Sequence, residues 1–420
     1  MRNLSDFRFH RLFTGAAVIF LASASLARAE DWPQWRGANR DGLSAETGLL
    51  DTWPESGPPP LWKAEGIGGG YASPAIAGGK VFGSGFENGE EFVWALSEAD
   101  GKQLWKTTIA KVGYENIEAK YATGPRATPT VDGDRVYCLG AAGDLACLET
   151  ESGKLVWSKN LVKDFGGELM SGWGFSEAPL IDGDRLVCTP GGAQGAVAAL
   201  DKATGEAVWR SKDLADPASY SAVVAAEIGG KKHYVVLTGA SLAGIDPENG
   251  AVLWRADRAG KSFVVATPIV EGDQVFVTSS DVGSQLFTVT ASGGSFAVAE
   301  TYKSLKLKND WGGAVKVGDH VYADNGATFV ALDFKTGDMT TRARMIGECG
   351  VGYAEGHLYL QNPDGVVALV EAKPDALTEK SRFTQPEAEG KKGYAVPTIA
   401  NGRLYLRALD TLVAYDIKKP

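Results

Sequence analysis

The sequence is poor in the residues that most often carry catalysis or bind metals. Its 420 residues include only four histidines and four cysteines. Three of the histidines lie far apart, at His233, His320 and His357, without the close spacing of zinc ligands. The sequence has no G-x-S-x-G nucleophile motif and no glycine-rich turn of the phosphate-binding kind. These absences argue against a zinc enzyme, a serine hydrolase and a nucleotide-binding enzyme.

Positive charge is also scarce. The chain has 42 Lys and Arg against 52 Asp and Glu, and removal of residues 1–29 would leave 38 against 51. An acidic protein without a basic stripe is a poor match for nucleic acids or anionic membranes, because both are negatively charged. We therefore expect no nucleic acid and no anionic lipid surface among its partners.

A single apolar run is found, and it lies at the N-terminus. Arg2, Arg8 and Arg11 lie in the basic region at its start, and Ala27-Arg28-Ala29 at its end fits the small-x-small cleavage rule. We predict that residues 1–29 are a cleaved signal peptide; an uncleaved anchor is the alternative, although the run is short for a membrane span. No cysteine follows the cleavage site, so lipid attachment is not expected. The mature chain is expected to be soluble, without a transmembrane anchor, and either periplasmic or secreted.

What the sequence does contain is a long-period repeat. Its clearest copies, ALSEADGKQLW, CLETESGKLVW, ALDKATGEAVW and GIDPENGAVLW, end in tryptophans spaced 52, 52 and 45 residues apart. A two-residue turn rich in Gly, Asn and Asp recurs eight times, at 78–79, 132–133, 182–183, 229–230, 271–272, 318–319, 355–356 and 401–402. Residues of these types tolerate the positive φ of tight hairpin turns. The pattern predicts an all-β fold, an eight-bladed β-propeller of four-stranded antiparallel blades.

The two ends of the repeat region predict how the ring closes. The last copy stops after its third strand, at LVAYDIKKP, and an unassigned strand, LWKAEG at residues 61–66, precedes the first full copy. We predict that this N-terminal strand completes the last blade, which would leave no open edge in the ring. The propeller then spans residues 61–420, and residues 30–60, with three tryptophans, form an N-terminal strap lying on the ring. We expect a monomer.

Two cysteines raise the question of a disulfide. Cys138 and Cys147 flank the loop at residues 141–144 symmetrically, so they would face each other in the simplest hairpin. Directly opposed residues on paired strands are close enough for contact, and exported proteins meet oxidants. Strand geometry is not ideal for a disulfide. The sequence therefore allows a bond between Cys138 and Cys147 without deciding whether it forms.

The candidate binding residues lie in the longer loops before the first strand of several repeats. These loops mix aromatic and charged residues, which is typical of a binding surface, and in a propeller they surround one mouth of the channel. The same residues would also be found if the aromatics only filled the channel and the charges were solvated. The predicted site consists of Tyr121, Arg126, Trp173, Glu177, Trp311 and Tyr394. No catalytic residue and no metal ligand is predicted.

The repeat, clearest as ALDKATGEAVW, resembles the pyrroloquinoline-quinone (PQQ) repeat of quinoprotein alcohol dehydrogenase-like propellers over residues 61–420. The segments DWPQWRGANRDG, GYASPA and CGVGYAEG are similar to exported bacterial proteins that resemble the propeller lipoprotein of the outer-membrane β-barrel assembly machine. This resemblance implies a binding or scaffolding module in the cell envelope, with an envelope protein, a small ligand or a glycan as its partner.

The resemblance to the dehydrogenases implies an alternative, a PQQ-dependent oxidoreductase that holds Ca²⁺. Those enzymes resemble one another in having adjacent cysteines beneath the quinone and a Glu, Asn and Asp set around calcium. Here no two cysteines are adjacent, no such set is recognisable, and no C-x-x-C-H haem motif is present. We therefore expect no cofactor, with PQQ and Ca²⁺ expected only under the alternative. Carbohydrate binding through the aromatic loops is a third, weaker possibility.

Overall fold

The computed structural model describes residues 31–111, 123–258 and 264–420, and within these ranges nearly all regular structure is β-strand. The strands of the first half are β1 (Leu43–Ser44), β2 (Pro60–Glu65), β3 (Ala75–Ala77), β4 (Lys80–Glu87), β5 (Glu90–Ser97), β6 (Gln103–Lys111), β7 (Thr130–Asp132), β8 (Arg135–Leu139), β9 (Asp144–Glu149), β10 (Leu155–Asn160), β11 (Leu180–Asp182), β12 (Arg185–Cys188), β13 (Ala198–Asp201), β14 (Ala207–Arg210), β15 (Val224–Ile228), β16 (Lys231–Leu237), β17 (Ser241–Ile245) and β18 (Val252–Asp257).

The second half continues the same pattern, with one 3-10 turn at Pro386–Ala388. Its strands are β19 (Ile269–Glu271), β20 (Gln274–Ser279), β21 (Gly283–Ser292), β22 (Ser295–Ser304), β23 (Val315–Val317), β24 (His320–Asp324), β25 (Phe329–Asp333), β26 (Met339–Ala343), β27 (Gly350–Ala354), β28 (His357–Gln361), β29 (Val366–Ala372), β30 (Leu377–Thr384), β31 (Thr398–Ala400), β32 (Arg403–Ala408) and β33 (Thr411–Asp416).

These strands form eight sheets, which we call blades 1 to 8. Blade 1 is β3–β6, and blades 2 to 7 take the next strands in groups of four, ending with β27–β30. The short first strands of successive blades contact one another, so they line the central channel. Within each blade, neighbouring strands pair antiparallel, as they do in blade 1. The predicted eight-bladed, all-β propeller is confirmed.

An N-terminal strand closes the ring. Blade 8 has the order β31-β32-β33-β2, and β2 pairs antiparallel with β33 so that Trp62 faces Ala414 and Glu65 faces Thr411. The predicted closure by residues 61–66 is therefore confirmed. One further N-terminal strand was not expected: β1 pairs in parallel with β27 and makes the sheet of blade 7 five-stranded.

The strap also completes the turn that blade 8 lacks. In blade 2, the turn between the third and fourth strands is closed by the N–H of Glu149, which donates to the carbonyl of Lys154 at 3.0 Å. In blade 8 the N–H of Asp416 donates instead to the carbonyl of Pro59 at 2.8 Å. Two segments at opposite ends of the chain thus reproduce a turn that the other blades make continuously.

Tryptophans on the outermost strands of four blades fasten each of those blades to the next. The indole N–H of Trp105 donates to the carbonyl of Thr150, in a turn of blade 2, at 2.9 Å. Gly153 in that turn has φ 68°, and a Cβ there would lie 2.5 Å from the Trp105 ring, so only glycine fits. The same donor reaches the next blade from Trp62 to Glu98, from Trp157 to Lys202 and from Trp209 to Pro247. These four tryptophans thus join the seams from blade 8 to blade 4.

The register of blade 2 rules out the disulfide that the sequence allowed. Cys147 pairs with Tyr137, and Cys138 pairs with Ala146. Because successive residues of a strand point to opposite faces, the two thiols lie in different seams, Cys138 against blade 1 and Cys147 against blade 3. All four cysteines are free and buried. The register of the hairpin differs by one residue from the symmetric pairing, because Gly140 pairs with Asp144.

Candidate functional site

The central channel is filled by the chain's own N-terminal segment. Residues 31–50, which we call the channel segment, contact every blade at its innermost strand or at the residues next to that strand. From blade 1 to blade 8 the contacts are Trp32–Ile76, Pro33–Val131, Arg40–Pro179, Arg40–Val223, Trp35–Thr267, Arg36–Ala314, Leu43–Tyr353 and Glu46–Asn401. The segment that we expected to lie on the ring thus runs inside it, where it occupies the axis.

Two buried arginines anchor the channel segment. Arg36 donates to the carbonyl of Ala314, and Arg40 donates to the carbonyls of Ala178 and Val223, at 3.1 Å each. Both have positive φ, 61° and 59°, a backbone conformation that is uncommon for residues other than glycine. Burial lowers the pKa of each guanidinium to about 10, still far above neutrality. The arginines therefore stay charged and satisfy carbonyls on the inner edges of blades 3, 4 and 6.

Glu177, a predicted site residue, faces this anchor. It is 2% exposed, and its Oε1 accepts the N–H of Thr189, while no described group donates to its Oε2. Burial raises the pKa of its carboxyl to about 7, opposed by the hydrogen bonds from Thr189 and by the charge of Arg40. Glu177 thus belongs to the channel wall beside the channel segment.

Three other predicted site residues meet at one cluster. The loops that carry them lead into the innermost strands, on the face that we call the loop face. The ring of Tyr394 packs edge-on against Trp311, with centroids 5.2 Å apart, and against Tyr71, at 5.0 Å. The guanidinium of Arg126 lies over the Tyr71 ring, 5.4 Å from its centroid. We call Arg126, Tyr71, Tyr394 and Trp311 the aromatic row; it joins loops that precede blades 2, 1, 8 and 6.

The remaining predicted residues lie elsewhere. Trp173 stacks on Tyr220, with centroids 5.6 Å apart, and so joins the loops before blades 3 and 4. Tyr121 lies outside the described residues. Sequence reasoning missed Tyr71, although a signal for it exists: Tyr71, Arg126 and Tyr394 each stand three residues before the proline that opens an inner strand. That shared repeat position marks this part of the loop face.

Buried polar groups hold the aromatic row in place. Arg407 is 1% exposed and donates to the carbonyls of Ala72, at 3.0 Å, and Gly68, at 3.1 Å, on either side of Tyr71. Burial lowers the pKa of this guanidinium to about 9, so it remains charged at neutral pH. The Trp311 loop is held by Asn309, which donates to Asp324 at 2.6 Å. The row is therefore a preformed surface on rigid supports.

The described residues do not fit a quinone with its calcium. Within the described ranges, no three His, Cys, Asp or Glu side chains come together where they could hold a metal ion. The four buried cysteines include no adjacent pair, and Cys138 and Cys147 pack in blade seams. The channel axis is occupied by Arg36 and Arg40. No helix in this part of the chain is long and apolar enough to cross a membrane.

An eight-bladed ring with tryptophan-docked seams and this repeat is a PQQ-like β-propeller. The model of the family described as outer membrane protein assembly factor BamB matches residues 89–340, more than half of the chain. The chain therefore belongs to this family.

Individual relatives and structures agree with that assignment. The chain is 27% identical over 190 residues to outer membrane protein assembly factor BamB of Xanthomonas campestris pv. campestris, covering 44% of this chain and 41% of that protein. It is 26% identical over 237 residues to that of Shewanella oneidensis, covering 52% and 55%. Quinohemoprotein alcohol dehydrogenase from Comamonas testosteroni superposes with a TM-score of 0.66 at 11% identity, over 93% of this chain and 81% of that one, a likeness of fold alone. The chain spans about half the length of the curated relatives that it matches.

Proposed function

We propose that this protein is a binding or scaffolding module of the cell envelope and that a protein partner docks on the aromatic row. The relatives named above are called outer membrane protein assembly factors, and we extend to this chain the general role of contacting envelope proteins. The observation that carries the proposal is the aromatic row itself: two tyrosines, a tryptophan and an arginine in mutual contact on the loop face.

The composition of the row supports a protein partner. Tyr, Trp and Arg are the residues that contribute most to binding at protein interfaces, because each buries a large area and keeps a polar group for the partner. Tyr394 is 38% exposed and lies at the centre of the row. Because Arg407 and Asn309 already hold the neighbouring loops, little side-chain freedom would be lost on binding.

The proposal places the protein in the periplasm and requires no cofactor. Dye-linked alcohol dehydrogenase activity of the mature protein, after incubation with PQQ and Ca²⁺, tests the second part. We expect no turnover above the blank that contains the cofactor alone. Turnover above that blank would favour the oxidoreductase alternative instead.

Site-specific photo-crosslinking in the producing organism tests the docking surface. A photoreactive amino acid in place of Tyr394 should give a discrete adduct with an envelope protein. The matched control is the same substitution at Ala203, an exposed residue in the turn between β13 and β14, on the face opposite the loops. Equal adducts from both positions, or none from Tyr394, would contradict the proposal.

A further inference from the structure

A cavity lies where the ring closes, and it shares no residue with the aromatic row. We call it the closure pocket; its volume is about 340 Å³. Its walls come from β2, from β33 and from the 3-10 turn that follows β30. They include Pro60, Lys63, Pro386, Glu387, Val413 and Tyr415. The pocket therefore joins the N-terminal strand, the C-terminal strand and blade 7, and its size is in the range of small-ligand sites.

One carboxylate oxygen in this pocket lacks a donor. Oε2 of Glu387 is buried, and no described group donates a hydrogen bond to it. A buried carboxylate oxygen without a donor is costly, which makes the Glu387 carboxylate a candidate acceptor for a donor on a ligand. Lys63 does not provide one, because its ammonium pairs with Glu65 at 2.8 Å.

An aromatic wall stands beside this carboxylate. Tyr415 lines the pocket, and its ring is held edge-on by Phe383, with centroids 5.4 Å apart. Burial and the nearby charge of Glu387 both raise the pKa of the Tyr415 hydroxyl, which keeps the phenol neutral. A neutral aromatic ring next to a carboxylate attracts a cation through the ring face and through charge. Pro60 and Pro386 add apolar surface without further donors.

We propose that the closure pocket binds an alkylammonium group. The ammonium would donate to the carboxylate of Glu387 and lie against the Tyr415 ring, while its alkyl chain packs on Pro60, Pro386 and Val413. Neither a neutral alcohol nor an anion meets both requirements, because only a cation gains from the carboxylate and from the ring. The group could come from a free small amine or from a lysine side chain of a bound protein.

Binding should stabilise the closed ring. A ligand that contacts β2, β33 and the turn after β30 binds the closed form and not a form in which β2 has separated. By mass action, such a ligand raises the melting temperature, and above its Kd the stabilisation grows with the logarithm of the ligand concentration. The inference does not rest on the aromatic row, because the closure pocket contains none of its residues. The measurement needs only the isolated protein and no docking partner.

The test uses thermal shift and isothermal titration of the mature protein with n-butylammonium chloride, with n-butanol as the neutral control. We expect the ammonium to bind and to raise the melting temperature, and the alcohol at equal concentration to do neither. Nα-acetyl-lysine methylamide separates the two sources: comparable or tighter binding favours a lysine side chain, and weaker binding favours a free amine. Equal responses to n-butylammonium and n-butanol would overturn the proposal.

Three variants should change the affinity for the ammonium in three different ways. Glu387→Gln should weaken ammonium binding about tenfold or more, because a hydrogen bond to a charged group is lost. Glu389→Gln removes an exposed carboxylate in the same segment and should leave binding unchanged. Lys63→Gln removes a competing cation and should tighten binding. Unchanged affinity in Glu387→Gln, measured on protein that still melts cooperatively, would show that this carboxylate is not the binding group.

Discussion

The ring is held by two kinds of seam, and they occupy different arcs. From blade 8 through blade 3, each seam has a tryptophan that donates to a carbonyl of the following blade. Beyond blade 3 the contact changes. Trp254 donates to Nδ1 of His233, within its own blade, at 3.0 Å. In blade 5 the outermost strand presents Tyr302, whose hydroxyl donates to the carbonyl of Phe334 in blade 6 at 2.9 Å.

The comparison shows which part of the contact between neighbouring blades is shared by the two arcs and which part varies. A flat ring over a turn glycine is common to both arcs: a Cβ at Gly153 would lie 2.5 Å from Trp105, and one at Gly337 would lie 2.5 Å from Tyr302. At the closure the strap supplies the glycine, because Gly57 lies under Phe383. The polar partner varies, provided that each buried N–H or O–H finds an acceptor. Ring-on-glycine packing therefore recurs in both arcs, and the hydrogen bond adapts to it.

The largest effect should come from removing the element on which both arcs depend. Deletion of residues 31–65 removes the channel segment and the outermost strand of blade 8, and leaves β33 with an open edge. Open edges pair with other chains, so we expect aggregation and loss of a cooperative unfolding transition. Size-exclusion chromatography and thermal melting would show this; a monomer that melts like the full ring would contradict it.

Trp105→Ala should be strongly destabilising in the tryptophan-docked arc. It removes a large buried ring and its hydrogen bond to Thr150, which costs about 3–5 kcal/mol of the free energy of unfolding. The neighbouring Leu104→Ala, at a 48% exposed position of the same strand, should change it by about 0.5 kcal/mol or less. Chemical denaturation measures both, and equal losses would mean that the ring contact has no special weight.

Each arc also contains a buried acid whose pKa is raised to about 7, Glu177 in the first and Asp324 in the second. Between the unfolded and folded pKa values the folded state holds the extra protons, so stability should fall as the pH rises from about 5 to 7. Glu177→Gln and Asp324→Asn should each make the free energy of unfolding less dependent on pH. Each should remove on the order of 1–3 kcal/mol of the change across this range. Melting curves across that range would test it, and an unchanged slope in both variants would show that neither acid is responsible.

Two glycine substitutions separate the cost of packing against a tryptophan ring from the cost of backbone strain. Gly153 and Gly230 both have positive φ, 68° and 77°, but only Gly153 has an indole ring within reach of a Cβ; no atom lies within 4 Å at Gly230. Gly230→Ala should therefore cost only the backbone strain, about 1 kcal/mol. Gly153→Ala should cost about 1–3 kcal/mol more through overpacking against Trp105. Equal losses in denaturation experiments would assign the whole effect to the backbone.

The smallest effect should come from the hydrogen bond of the second arc. Tyr302→Phe keeps the ring over Gly337 and removes only the hydroxyl that donates to Phe334. The net contribution of such a bond is about 1 kcal/mol. If ring-on-glycine packing defines the seam, this loss should be well below that of Trp105→Ala; a comparable loss would mean that the hydrogen bond dominates.

Much of the ring could be predicted because its determinants are local and repeated. The Gly turns, the tryptophans and the missing strand of the last blade each follow from residues within one repeat. The disulfide could not be decided, because a one-residue shift in the register of the hairpin puts Cys138 and Cys147 on opposite faces of the sheet. The acceptor of Trp254 also escaped prediction, since nothing in the repeat distinguishes His233 from a tolerated surface histidine.

The candidate site was harder to predict, because its residues are far apart in the sequence and come together only when the ring is formed. Trp311 and Tyr394 were both expected at the channel mouth, but their contact depends on the loops before blades 6 and 8 reaching toward each other across the ring. Arg36 and Arg40 gave no sign of their role, because their acceptors lie more than 100 residues away in the chain. Long-range pairing of this kind leaves no periodic trace in a single sequence.

The turn shared by Pro59 and Asp416 links the folding of this protein to its biosynthesis. The strap and β2 are translated before the other strands of all eight blades, whereas their partners on β33 are translated last among those strands. Until those residues arrive, β2 has no partner in blade 8, and folding has to wait for a loop closure that spans most of the described chain. A chain interrupted anywhere before β33 cannot close, and its open ring offers proteases and chaperones a clear mark of an unfinished product.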